Sequence, residues 1–189
     1  MAMSVSPGQA AAALDEIERT ERRTRNAKGY AIASPHLILW GLVWMAGYGA
    51  CAVLPPERWG LAWLPLVVVG SLGSSWLGSR AAAARGGKGG QFRRSLLMGA
   101  SIFVFIACTY YVLQPRSPLA YLVFPALITG LAYSLSGAAA GMMRFVWIGG
   151  GIVLLTMAGY VLAPQWTALI VAVAAGGGLV LGGLWLRQA

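Results

Sequence analysis

Residues 35–54 read PHLILWGLVWMAGYGACAVL, a stretch with no Asp, Glu, Lys or Arg. A helix rising about 1.5 Å per residue needs about 20 such residues to cross roughly 30 Å of hydrocarbon. This stretch therefore has the length and composition of a membrane span. Working outward from it, five further apolar runs follow, at 60–79, 95–113, 118–136, 143–162 and 166–186, with charge only near their ends. The sequence predicts an all-α polytopic membrane protein with six transmembrane helices over 35–189. A cytoplasmic segment, 1–34, precedes them and holds a charged helix at about 9–28. Ser34 is placed to cap span 1 with Pro35 as its first residue, where the missing amide hydrogen costs nothing.

Composition agrees with the spans. Of 189 residues, 58% are hydrophobic and only 10% charged, against about 25% charged in a soluble domain whose surface must be held by water. Twenty-six glycines and eight tryptophans fit membrane helices, where Gly is frequent and Trp collects at the interface. The same counts exclude most chemistry. With one histidine, two cysteines and Glu57 as the only acid after residue 21, there is no carboxylate pair, zinc-type cluster or Ser/His/Asp set in the spans. No metal, no cofactor and no catalytic residue is expected. Coupled proton or sodium transport is also disfavoured, because such pathways retain ionisable groups inside the bundle.

The cations set the orientation. Arg19, Arg22, Arg23, Arg25 and Lys28 precede span 1, and Arg80, Arg85, Lys88, Arg93 and Arg94 lie near or in the loop between spans 2 and 3. Arg144 lies between spans 4 and 5 and Arg187 follows span 6, which leaves Arg58 and Arg116 on the opposite side. The positive-inside rule then puts both termini in the cytoplasm, and the chain is read as a multi-pass protein of a bacterial inner membrane. Residues 1–33 hold no apolar core of signal-peptide length, so span 1 itself is expected to direct insertion. Arg80, Arg85, Lys88, Arg93 and Arg94 are expected to face anionic lipid headgroups of the bilayer. Direct nucleic-acid binding is not expected, because Phe92 is the one aromatic residue among these charges. Cys51 and Cys108 both fall in outer halves of their spans, either as a disulfide or as two small buried thiols.

The outer turns read alike: AVLPPERW at 52–59, YVLQPRSP at 111–118 and YVLAPQW at 160–166. Small residues then recur every four positions: Gly70, Ser74 and Gly78; Gly130, Ser134 and Ala138; Ala174, Gly178 and Gly182. Such a stripe lets helices approach closely where no hydrophobic force draws them together. This pattern predicts three repeated helical hairpins around a common axis with the even-numbered spans at the centre. The alternative is that any Gly-rich helical hairpin shows the same composition. Small-residue faces pair within a chain or between copies, so a homo-oligomer stays open.

Trp40, Trp44 and Tyr48 share a face of span 1, and Tyr110, Tyr111, Tyr121, Tyr133, Trp147 and Tyr160 add further amphipathic rings. Trp40, Trp44, Tyr48, Tyr111, Tyr133 and Tyr160 are the candidate lining of a pocket for an apolar or cationic ligand. Ordinary packing with interfacial belts accounts for the same residues. His36 at the inner edge of span 1 fits an interfacial anchor.

The segment QAAAALDEIERTERRTRNAK at 9–28 has no Pro or Gly. Its acids (Asp15, Glu16, Glu18, Glu21) come first and its cations second, the order the helix dipole favours. Glu18 with Arg22 and Glu21 with Arg25 are spaced as ion pairs, and Gly29 is expected to break the helix before span 1. Leu14 and Ile17, with Ala10 and Ala13, form a thin apolar strip. Leu14, Ile17, Glu18, Glu21, Arg22 and Arg25 are the candidate surface for a partner. That surface leans on the basic loop, the lipid, a second copy or a cytosolic protein, or simply sets topology as a solvated helix.

ALDEIERTERRTRNAKGY at 13–30 followed by HLILWGLVWMAGYG at 36–49 resembles small bacterial six-span membrane proteins with a charged N-terminal helix. In those proteins Glu and Arg occur at the spacing of Glu18, Arg22 and Arg25, and the first span opens on a step like Leu39-Trp40-Gly41. The resemblance covers about a fifth of the chain. It implies a membrane regulatory or sensory protein, encoded beside a winged-helix transcriptional regulator, whose N-terminal helix docks that cytosolic factor. The six spans, inner termini and the Ala46, Ala50 step also resemble the substrate-binding subunits of energy-coupling-factor vitamin transporters, which do not usually carry a long charged N-terminal helix. That second resemblance implies a small-molecule permease or substrate-binding subunit of an ATP-driven transporter.

Overall fold

A computed structural model describes residues 6–83 and 91–188. Six helices make an all-α bundle. They are α1 (Pro7–Val53), α2 (Trp59–Ala83), α3 (Gln91–Leu113), α4 (Pro118–Ala140), α5 (Met143–Leu162) and α6, which runs as Thr167–Val171, a π turn Ala172–Gly177, and Gly178–Leu186. Among the described residues, five helical stretches are long and apolar enough to cross a membrane: Pro7–Val53, Pro56–Ala83, Pro118–Ala140, Met143–Leu162 and Pro164–Leu186. α3 contributes a shorter apolar stretch, Gly99–Leu113.

The first helix departs from the expectation of two helices. It starts at a capping box, in which the Ser6 hydroxyl accepts from the Gln9 amide at 3.3 Å and the Ser6 amide donates to Gln9 Oε1 at 3.0 Å, with Pro7 in the first turn. It then runs 47 residues without interruption, a rod of about 70 Å. Gly29 does not break it, and Ser34 and Pro35 lie inside it rather than at a start. Contacts from the α4–α5 turn explain this. Gly141 caps α4 in the left-handed conformation (φ 68°), which only a residue without Cβ adopts at little cost. Its carbonyl accepts from Asn26 Nδ2 at 3.3 Å, and the Met142 side chain packs on Gly29. The turn therefore holds α1 one turn before the expected break and at Gly29 itself.

The core forms where α1, α4, α5 and α6 meet. α4 and α5 are the most extensive pair; α1 packs along α6 and on one face of α2. Buried side chains include Leu37, Trp44 and Tyr48 of α1, Leu122 and Ala126 of α4, Ile152 of α5, and Val171, Ala175 and Leu179 of α6. Close approach rests on glycines at two crossings. A Cβ on Gly41 would lie 2.7 Å from the Gly176 carbonyl of α6, and one on Gly149 of α5 would collide with the Gly130 carbonyl of α4. The even-numbered spans are thus not the centre as a set. α4 and α6 are central, but α2 buries only Gly70, where the Trp40 ring and Val43 rest, and odd-numbered α1 and α5 complete the core.

The stripe Ala174, Gly178, Gly182 also shifts. Its helix contains the π turn, whose extra residue rotates the register. Gly182 of the expected stripe stays inward, packed on Ile148, but its other inward neighbours are Ala175, Gly176, Leu179 and Gly183, and Gly178 has no near neighbours.

Two of the three outer turns share geometry. After Leu54 and after Leu162 the chain makes a one-turn 3₁₀ segment, Pro56–Arg58 and Pro164–Trp166, closed by Arg58 N–H to the Pro55 carbonyl at 3.0 Å and Trp166 N–H to the Ala163 carbonyl at 2.9 Å. The third differs, because Gln114 takes a positive φ of 41° and Pro118 starts α4 directly. α3 lies against α2 and meets α4 near their outer ends, where the Tyr110 ring packs on Tyr121 and Phe124.

Candidate functional site

The charged half of α1 stands clear of the bundle. Described residues 6–25 are all exposed, including Leu14 at 63% and Ile17 at 54% of their surface. Among the described residues the one ion pair is Asp15 with Arg19 at 2.6 Å. Glu18 with Arg22 and Glu21 with Arg25, at the same spacing, do not close. At this exposure such a pair adds a few tenths of a kcal/mol at most, about 0.3–0.5 in helices. Thr20, Glu21, Thr24, Arg25 and Lys28 border an open shallow hollow on this rod. All six candidate partner residues, Leu14, Ile17, Glu18, Glu21, Arg22 and Arg25, are thus presented on one continuous, exposed helical stretch.

At the base of the rod the helix ends converge. The Tyr30 ring contacts Phe145, and Phe145 stacks on Tyr133 with the planes 4° apart. Arg144 of α5 lies over the Trp185 ring at 4.8 Å and the Tyr30 ring at 5.6 Å, and its Nη1 donates to the Trp185 carbonyl at 2.6 Å. Fully buried Ser34 donates to the Gly183 carbonyl at 2.7 Å and accepts from Arg187 Nε at 3.2 Å. α1, α5 and α6 are tied together at this level by polar contacts that the sequence reading did not anticipate. In the sequence, Arg144 and Arg187 mark topology alone. Their pairing with Trp185 and Tyr30, interfacial ring types beside lone cations, was the available signal.

The aromatic candidates do not assemble into one pocket. Trp44 and Tyr48 meet edge to face with centroids 5.4 Å apart, and Tyr48 meets Trp63 of α2 at 5.1 Å, a ring absent from the expected set. The Tyr48 hydroxyl donates to the Leu122 carbonyl at 2.8 Å, and Trp40 Nε1 donates to Ser74 Oγ at 2.9 Å. Tyr133 belongs to the inner cluster, Tyr160 is half-buried, and Tyr111 is 80% exposed on α3. The rings of α1 are therefore filled against one another and against α2 and α4.

Of the basic loop, Arg80 is exposed with its guanidinium 4.0 Å over Trp76, and Arg93 is exposed. Arg85, Lys88 and the Arg94 side chain lie outside the described residues. Cys51 is buried in α1 and Cys108 exposed on α3, both as free thiols. Among the described residues no group of His, Cys, Asp and Glu is placed to hold a metal. Comparison of the chain with protein-family models, with curated proteins and with solved structures returned no match. Fold and site together define a polytopic helical membrane protein without a metal-type or cysteine-type catalytic centre among the described residues.

Proposed function

We propose that this chain is a non-enzymatic, six-span regulatory or sensory protein of a bacterial inner membrane, whose charged helix docks a cytosolic partner such as a transcription factor. The observation that carries this reading is the continuity of α1. One helix presents Leu14 and Ile17 bare at one end and packs Trp44 and Tyr48 into the bundle core at the other. One continuous helix passes a rotation or tilt of its packed half on to the docking face, and Pro35, the residue type at which helices bend, lies between the two. The apolar strip is too thin to hold a partner alone. Its acidic outer and basic inner halves add register to a facing amphipathic helix of opposite charge order.

The competing reading, a permease or substrate-binding subunit, relies on an aromatic pocket. The rings available for it are occupied with one another and with Leu122 and Ser74, which favours the regulator.

The test compares three strains by transcript profiling: one lacking the protein, one making it without residues 7–25, and one with Leu14→Asp and Ile17→Asp together. Both variants should reproduce the changes seen in the null strain while accumulating in the membrane at normal levels. A truncated protein that restores the full transcript profile would overturn the docking role.

A further inference from the structure

We propose that Arg144 and Arg187, at the inner ends of α5 and α6, bind the phosphate of an anionic phospholipid. Both guanidinium groups are held in place without being neutralised. Arg144 is half-buried between the Trp185 and Tyr30 rings and spends Nη1 on the Trp185 carbonyl; Arg187 spends Nε on Ser34. Ser34 in turn is fixed by the Gly183 carbonyl. The two cations are thereby anchored to one short stretch, 183–187, and to one turn of α1, and their remaining N–H groups have no described partner.

Among the described residues, no carboxylate side chain shares this end of the molecule. Asp15, Glu16, Glu18 and Glu21 lie on the free rod at least nine residues before Tyr30, a rise of about 13 Å, and Glu57 is in an outer turn. The only described ion pair is Asp15 with Arg19. Two fixed, unpaired cations beside an apolar bundle attract an anion, and guanidinium forks match phosphate oxygens bidentately. Their depth selects the source. Trp185 and Tyr30 are ring types that mark the membrane–water boundary, where headgroup phosphates are concentrated, and basic pockets between helices on the cytoplasmic side bind such headgroups.

The experiment uses the full chain in zwitterionic detergent micelles. Phosphatidylglycerol or phosphatidylcholine is titrated in, and lipid adducts by native mass spectrometry and the melting temperature are read together. Phosphatidylglycerol should bind preferentially and raise the melting temperature. R144Q and R187Q should each weaken that binding about fivefold, with R58Q in the outer turn as an unaffected control. If R144Q does not fold, R187Q carries the test, because its exposed side chain makes one described hydrogen bond. Equal binding of the two lipids, or unchanged phosphatidylglycerol binding in R187Q, overturns the proposal. So does an equal rise in melting temperature with inorganic phosphate or glycerol phosphate, which would make this a site for soluble anions.

Discussion

Gly149 and Gly78 show how differently one residue type acts in this bundle. A Cβ on Gly149 would meet the Gly130 carbonyl and the Ser134 hydroxyl and amide, fixed atoms of a packed helix, whereas one on Gly78 meets nothing within 4 Å. Gly149→Ala should therefore destabilise by about 1–3 kcal/mol through forced separation of α4 and α5. Gly78→Ala should be neutral or stabilising by up to about 1 kcal/mol, because alanine loses less backbone entropy in a helix. Thermal unfolding in micelles separates the two, and equal effects would mean that the α4–α5 crossing is looser than its geometry. Tyr48 is a second single-residue case. It is 1% exposed and its hydroxyl donates to the Leu122 carbonyl, so Tyr48→Phe keeps the ring packing and removes one bond, worth about 0.6–1.5 kcal/mol in a membrane interior. A loss well above that range in the same unfolding assay would indicate that the hydroxyl holds more than one carbonyl. The sequence pointed to Gly130 and to Tyr48 but not to Gly149. Gly130 stands out by its four-residue spacing after an outer proline, whereas a glycine's partner on another helix leaves no mark on local spacing.

At the scale of elements, α1 is where local rules misled. Gly29 and the Ser34-Pro35 step are ordinary punctuation between two helices. They are overridden because the Asn26 and Met142 contacts hold the turn before Gly29, and the Ser34 hydroxyl is taken by the Gly183 carbonyl instead of capping a helix. Tertiary contacts 115 and 149 residues away in sequence are not visible in a window of twenty. Five of the spans were legible, since length and apolarity are local properties, while the expected span at 95–113 is met by a shorter apolar stretch, Gly99–Leu113. The π turn of α6 was not, because nothing in AVAAGG at 172–177 marks an extra residue per turn. The unbroken rod has a direct measurement. With Cys51 and Cys108 replaced by serine, spin labels at Ala12 and Ile32, both exposed, should show one narrow distance near 30 Å, the rise of twenty helical residues. A broad distribution with a shorter mean would restore the break at Gly29 and remove the lever on which the regulatory reading depends.

For the molecule as a whole, the arrangement is a tight group of α1, α4, α5 and α6 with α2 and α3 on its flank, and this asymmetry decides where stability resides. In a bilayer the side chain of a separated helix is already among lipid tails, so burial earns no transfer free energy and packing contacts decide the balance. Leu179 of α6 is 1% exposed, and Leu72 of α2 is 67% exposed. Leu179→Ala should leave a cavity among α1, α5 and α6 and cost about 2 kcal/mol or more. Leu72→Ala should cost a few tenths, since lipid tails fill the space it vacates; the change is about that of a surface substitution, within about 0.5 kcal/mol. Unfolding titrations of both variants in the same bicelles compare them directly. Comparable losses would mean that the outward face of α2, with Leu61, Leu64, Val68 and Leu72 all exposed in the single chain, is covered by another surface in the membrane. A second copy of the chain is then the first occupant to look for, and the loss at Leu72 should grow with protein concentration, because dimer stability follows mass action while that of a lone bundle does not. A loss at Leu72 that stays small across a hundredfold dilution series fits a lipid-facing flank, and leaves the exposed half of α1 as the surface with something still to bind.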